Sequence, residues 1–167
     1  MKMNPQKKQE LERIHEYLRQ HQNNLPAINQ AAMLMHRNGF PLEQVLNAYE
    51  SYLARHPSTP GAVYNYAWYL SRDGQFEPAV RMYRQALELG IDQPEEVHLN
   101  NANIYMDHLR ANDKARAEFK LALAIRPNYY GAYHNLGNLA EQLGEREEAK
   151  AFFRKCLEIE PGNPSAL

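Results

Sequence analysis

The stretch Tyr130–Asn163 reads YGAYHNLGNLAEQLGEREEAKAFFRKCLEIEPGN. Tyr133, Leu136, Gly137 and Ala140 recur at the i, i+3, i+4, i+7 spacing that marks one face of an α-helix. Gly144 then interrupts the pattern. Glycine adopts positive φ without steric cost, so it suits a tight turn between helices. Beyond it, Ala149, Phe153, Cys156 and Leu157 resume the helical spacing, and Pro161 closes the unit. The spacing predicts a helical hairpin.

The same pattern occurs upstream in steps of 35 residues. With Tyr133 as position 4, the first-helix set Tyr133, Leu136, Gly137, Ala140 is preceded by His98, Asn101, Ala102, Tyr105. Before that come Val63, Tyr66, Ala67, Leu70, and then Ile28, Ala31, Ala32, Met35. Position 8 is small in every unit: Ala32, Ala67, Ala102, Gly137. A small residue there lets the two helices of a hairpin approach closely. The second helices open at Val45, Ala79, Ala115 and Ala149, each followed four residues later by Tyr49, Tyr83, Phe119 or Phe153. Their spacings of 34, 36 and 34 predict one extra turn residue in the first and third units. Gly39, Gly74 and Gly144 mark three of the turns. The third has Leu109, Arg110, Ala111 and Asn112 instead, so its turn must differ.

A small residue at position 8 and an aromatic residue four after the start of each second helix, repeated every 34 to 36 residues, together with the closing Pro161 of the last unit, resemble the tetratricopeptide repeat. The resemblance implies an all-α fold, a right-handed superhelical solenoid of antiparallel helix pairs whose first helices line a concave face. Four repeats are expected, at 25–58, 59–93, 94–128 and 129–163. Residues 1–24 form an N-terminal tail and capping helix, and 164–167 begin a truncated fifth repeat. One hairpin cannot bury its own apolar face, so stability is a sum over neighbouring interfaces.

Composition limits the function. Lys plus Arg is 19 and Asp plus Glu is 20, a formal charge of -1 that gives no global field for nucleic acid or an anionic membrane. The single cysteine, Cys156, forms no intramolecular disulfide. It occupies a small position of the last repeat, which predicts a buried, inert thiol. The N-terminal sequence lacks the apolar core of a signal peptide. No apolar run approaches the roughly 20 residues of a membrane helix. A cytoplasmic location is expected. Leu11, Ile14 and Leu18 give residues 6–22 a narrow apolar stripe, read as a cap over the first repeat rather than a membrane-surface helix, because Glu10, Glu12 and Glu16 offset the basic residues.

The expected function is a protein–protein interaction scaffold that binds an extended peptide or partner segment in its groove. Position 6 reads Gln30, Asn65, Asn100, Asn135. An amide is both donor and acceptor, so such a ladder can pair with a peptide backbone without reading its side chains. Asn103 and Asn138 extend it at position 9. The ladder resembles that of the repeat domain in the enzyme that transfers N-acetylglucosamine to Ser/Thr, without implying that chemistry. The alternative role of these amides is to bond within or between the helices. Tyr64, Trp68, Arg37, Arg72 and His134 complete the candidate groove. Tyr64 and Trp68 share a helical face, and such aromatics are enriched at interaction hot spots; the alternative for Trp68 is packing against the adjacent first helix. A carboxylate clamp of the kind known in one subclass of the family is not expected. Its cation positions are held by Asn29 or Tyr64, Glu96 or Gly131, and Asn100 or Asn135, none of them basic.

In the third unit His98 and Asn101 stand where large apolar residues are expected. Either the helix is rotated so that Leu99 packs inward, or these groups are buried and hydrogen-bonded. His98 and His108 match no zinc-ligand spacing, and phosphate-loop, dinucleotide and nucleophile-elbow motifs are lacking. No metal, cofactor or catalysis is expected within these residues. A second hypothesis makes the chain the non-catalytic repeat arm of a larger enzyme. The runs IDQPEEVHLNNANIYMDHLRAND and PNYYGAYHNLGNLAEQLGEREEA resemble the repeats of bacterial proteins that join tetratricopeptide repeats to a sulfotransferase domain. Their catalytic residues would lie beyond residue 167. The chain is therefore expected to be a piece of a longer protein, or to bury its uncapped repeat ends against further copies of itself.

Overall fold

The computed structural model describes residues 4–161, and every regular element in them is an α-helix. The chain forms two compact units, divided between Leu89 and Gly90. The first holds α1 (Pro5–Gln20), α2 (Leu25–Arg37), α3 (Leu42–Leu53), α4 (Pro60–Arg72) and α5 (Phe76–Glu88). The second holds α6 (Pro94–Asp107), α7 (Asn112–Ile125), α8 (Tyr130–Gln142) and α9 (Arg146–Ile159). The expected start of a fifth repeat at 164–167 lies outside the described residues.

Local chemistry sets the helix ends. The Asn4 side chain accepts a hydrogen bond from the backbone N–H of Lys7 at 2.8 Å, and Asn24 accepts one from Ala27 at 3.1 Å. Each satisfies an N–H that the first turn leaves without an intrahelical partner. Proline lies in the first turn of α1, α2, α4 and α6, where its missing N–H costs nothing.

The turns within the helix pairs cover 38–41, 73–75, 108–111 and 143–145, so the first and third carry the extra residue that the spacings predict. Gly39, Gly74 and Gly144 take φ values of 66°, 81° and 77°. The N–H after each glycine returns to a carbonyl five residues back: Phe40 to Met35, Gln75 to Leu70, Glu145 to Ala140. The third turn closes on the equivalent carbonyl, Tyr105, but from Ala111, six residues on. Arg110 takes the left-handed conformation there, with φ 51°.

The predicted small and aromatic positions form the interiors. In the first unit Ala32, Ala67, Tyr49 and Tyr83 are at most 1% exposed; in the second, Ala102, Phe119 and Ala149 are at most 2% exposed. Burying one such large side chain contributes about 1.5–3 kcal/mol. Cys156 is fully buried, with its thiol pushed up by burial, consistent with an inert residue.

The third pair departs from expectation in an instructive way. His98 is mostly buried and satisfied, its Nδ1 2.7 Å from Oε2 of Glu118 on α7. Asn101 is fully buried, yet neither its Nδ2 nor its Oδ1 has a hydrogen-bond partner among the described residues. Of the two alternatives, burial with a hydrogen bond describes His98, whereas Asn101 is buried without one among the described residues. Leu99 is half-buried, against the position of Gly131.

Candidate functional site

In the first unit the predicted groove residues lie on α2 and α4. Asn65 donates through Nδ2 to Oδ1 of Asn29 at 3.0 Å, and the Tyr49 hydroxyl donates to the same oxygen at 2.8 Å. Burial holds the Tyr49 hydroxyl well above its ordinary pKa, so it stays a donor. Asn65 is thereby fixed in orientation by a neighbouring first helix. Gln30 is exposed, and its Oε1 lies 3.4 Å from the hydroxyl of Tyr17 on α1.

Further along α4 the Arg72 guanidinium stacks over the Trp68 indole, 4.6 Å from the ring centroid. Trp68 meets His36 of α2 edge-on at 5.8 Å. Trp68 thus packs against the adjacent first helix, the alternative foreseen for it, and remains half-exposed. Tyr64 is half-exposed and edge-on to Tyr83 of α5 at 5.5 Å. Arg37 is exposed at the end of α2.

In the second unit, Asn135 of α8 donates to Oδ1 of Asn103 on α6 at 2.7 Å. His134 Nδ1 lies 3.4 Å from both Asn135 Oδ1 and Asn138 Nδ2. Its ring stacks on Tyr130 at 5.9 Å and meets Phe153 at 6.1 Å. Asn100 is half-buried on α6. The structure thus brings Asn103, His134, Asn135 and Asn138 into one polar cluster.

Three contributors escaped the sequence reading. Asn29 orients Asn65, but it stands one residue off the ladder position. Met33 is 65% exposed and lies 35 residues before Trp68, a step the repeat itself could have supplied. The third is the face of α1. Ile14 and Tyr17 line, with Ala31 and Leu34, a mainly apolar cavity of about 460 Å³ beside Gln30. Among the described residues no cluster of His, Cys, Asp and Glu could hold a metal ion.

Residues 60–89 and 130–163 match the tetratricopeptide repeat family model. The small glutamine-rich tetratricopeptide repeat-containing protein 2 of Mycosarcoma maydis is 29% identical over 85 residues, which cover 51% of this chain and 24% of that protein. The chain therefore matches about a quarter of the length of this curated relative. Among solved structures, MamA superposes with a TM-score of 0.77 at 18% identity, covering 96% of this chain and 97% of that one. YrrB, described as a TPR protein with an unusual peptide-binding site, superposes with a TM-score of 0.69 at 19% identity, covering 92% and 77%. At these identities the likeness shows the fold, an all-α solenoid of helix pairs.

Proposed function

We propose that this chain, whose residues 60–89 and 130–163 match the tetratricopeptide repeat model, is a protein–protein interaction scaffold whose first helices hold an extended peptide or partner segment. One observation carries the reading. In each unit an asparagine at the same repeat position is held by a neighbouring asparagine, Asn65 by Asn29 and Asn135 by Asn103. A held amide offers its remaining donor and acceptor capacity to a peptide backbone with little orientational entropy left to lose. The peptide-binding site named for YrrB supports the same use of the fold.

The four repeats at 25–58, 59–93, 94–128 and 129–163 are the units of this scaffold. Its binding positions are Gln30, Arg37, Tyr64, Asn65, Trp68 and Arg72 in the first unit and Asn100, Asn103, His134, Asn135 and Asn138 in the second. The role is non-catalytic and cytoplasmic. No described helix is long and apolar enough to cross a membrane, and the net charge of -1 favours a protein partner over nucleic acid.

Titration of the whole chain with peptides from a random library tests the reading. Single peptides are expected to bind in the micromolar range, about -8 kcal/mol. Replacing Asn65, Asn100 and Asn135 together by Ala should abolish that binding. Unchanged affinity in the triple variant would remove the amides from the site.

A further inference from the structure

We infer that the α2–α4 face of the first unit selects a peptide segment in which an acidic side chain lies beside a large apolar one. The inference rests on the groove reading and adds the chemistry of the ligand. Two first helices repeat one triplet at a 35-residue step: Gln30, Met33, Arg37 on α2 and Asn65, Trp68, Arg72 on α4. Within each triplet the residues are three or four apart, so they share a helical face. Each face offers an amide for the backbone, an apolar surface and a guanidinium, in that order toward the helix C-terminus.

The guanidinium of Arg72 is preorganised. Its Cζ lies over the Trp68 ring, so the indole supports the guanidinium while Arg72 itself stays exposed. Neither Arg37 nor Arg72 pairs with a carboxylate among the described residues. Asp73, the next residue in the chain, accepts from Gln75 instead, at 2.8 Å. A planar donor fork without an acid of its own fits a carboxylate bidentately. Met33 at 65% exposure and half-exposed Trp68 supply an apolar surface beside it. The corresponding positions in the second unit are Asn100, Asn103, Asp107 and Asn135, Asn138, Gln142, with no cation and no large apolar residue. The preference therefore belongs to the first unit. The carboxylate is that of an Asp or Glu side chain within the segment, because the positions that would clamp a chain terminus are held in this unit by Asn29 and Tyr64, which carry no charge.

Twelve-residue random peptides displayed on phage, selected on the immobilised full chain, test this. Recovered sequences are resynthesised with amidated C-termini, so that only side-chain carboxylates remain. The expected motif is Asp or Glu within about two residues of Leu, Met, Phe or Trp. Changing the acid to its amide should weaken binding at least tenfold to the wild-type chain and by less than twofold to the Arg37→Gln, Arg72→Gln variant, both substitutions lying on exposed residues. Recovered peptides without an acid, or equal binding of acid and amide forms, would overturn the inference while leaving the groove in place. Recovery of no binding peptide would overturn the groove reading and this inference with it.

Discussion

A β-carbon placed on Gly137 would lie 2.5 Å from Cε1 of Phe153 and 2.7 Å from its Cζ. The missing side chain is what lets α9 lay its aromatic ring against α8. The other three pairs have alanine at this position, opposite Tyr49, Tyr83 and Phe119, which are at most 1% exposed. Phe153 is half-buried, less covered than its three counterparts. Two effects oppose each other in Gly137→Ala. Helix propensity favours alanine by about 1 kcal/mol. Overpacking against the ring costs about 1–3 kcal/mol. The substitution should therefore destabilise by about 1 kcal/mol in urea unfolding. In a Phe153→Leu background the clash is gone, and the same change should stabilise. An equal effect in both backgrounds would show that the ring yields freely.

Asn101 gives a second stability test, with the opposite sign. Its amide is fully buried and unpaired among the described residues. An orphaned buried polar group costs about 1–3 kcal/mol. Leucine has nearly the same branching and is the kind of residue the repeat pattern expects there. Asn101→Leu should raise the urea midpoint by the equivalent of about 2 kcal/mol without changing the slope of the transition. A lower midpoint would show that the amide has a partner that outweighs burial.

Much of this fold was legible because the repeat averages over local noise. The 34, 36, 34 spacing of Val45, Ala79, Ala115 and Ala149 located the longer turns at 38–41 and 108–111 before any coordinate was needed. What stayed hidden depends on partners rather than on period. Arg110 gives no sign in the sequence of a left-handed φ, since that conformation normally selects glycine or asparagine. Asn29 sits one residue off the ladder, and only contact with Tyr49 and Asn65 reveals its role. Ile14 and Tyr17 could be read as a cap, but not as the wall of a cavity beside Gln30.

Arg116 of α7 ties the last pair to the one before it. It bonds Glu148 at 2.8 Å and also pairs with Glu145. The hydrogen bond from Arg116 holds the Glu148 carboxyl below the usual carboxylate range. A carboxyl depressed in the folded state stabilises above its unfolded pKa, and that stability disappears as pH falls through the folded value. Thermal unfolding followed by circular dichroism should place wild type above Arg116→Met at pH 7. The gap should close as pH drops through and below the carboxylate range. A gap that persisted in acid would assign the effect to packing of the arginine stem.

The Asn29 oxygen serves two donors of different standing, and substitution separates them. The Tyr49 hydroxyl is buried and donates to Asn29, with the Asn65 amide beside it, whereas Asn65 is half-exposed and can turn to solvent. Asn29→Ala should therefore cost about 1–3 kcal/mol, mostly through the orphaned hydroxyl. Asn65→Ala should cost less than about 1 kcal/mol, because no buried group loses its partner. Tyr49→Phe in the Asn29→Ala background removes the orphan and should recover most of the loss, giving a coupling of about 1 kcal/mol or more in a double-mutant cycle. Peptide binding should follow a different order. Asn65→Ala removes a groove amide outright, while Asn29→Ala only frees its orientation and weakens binding by the entropy of holding it. Binding that tracked stability across these variants would mean that the amides serve the fold alone, and the groove would have to be sought elsewhere on the first helices.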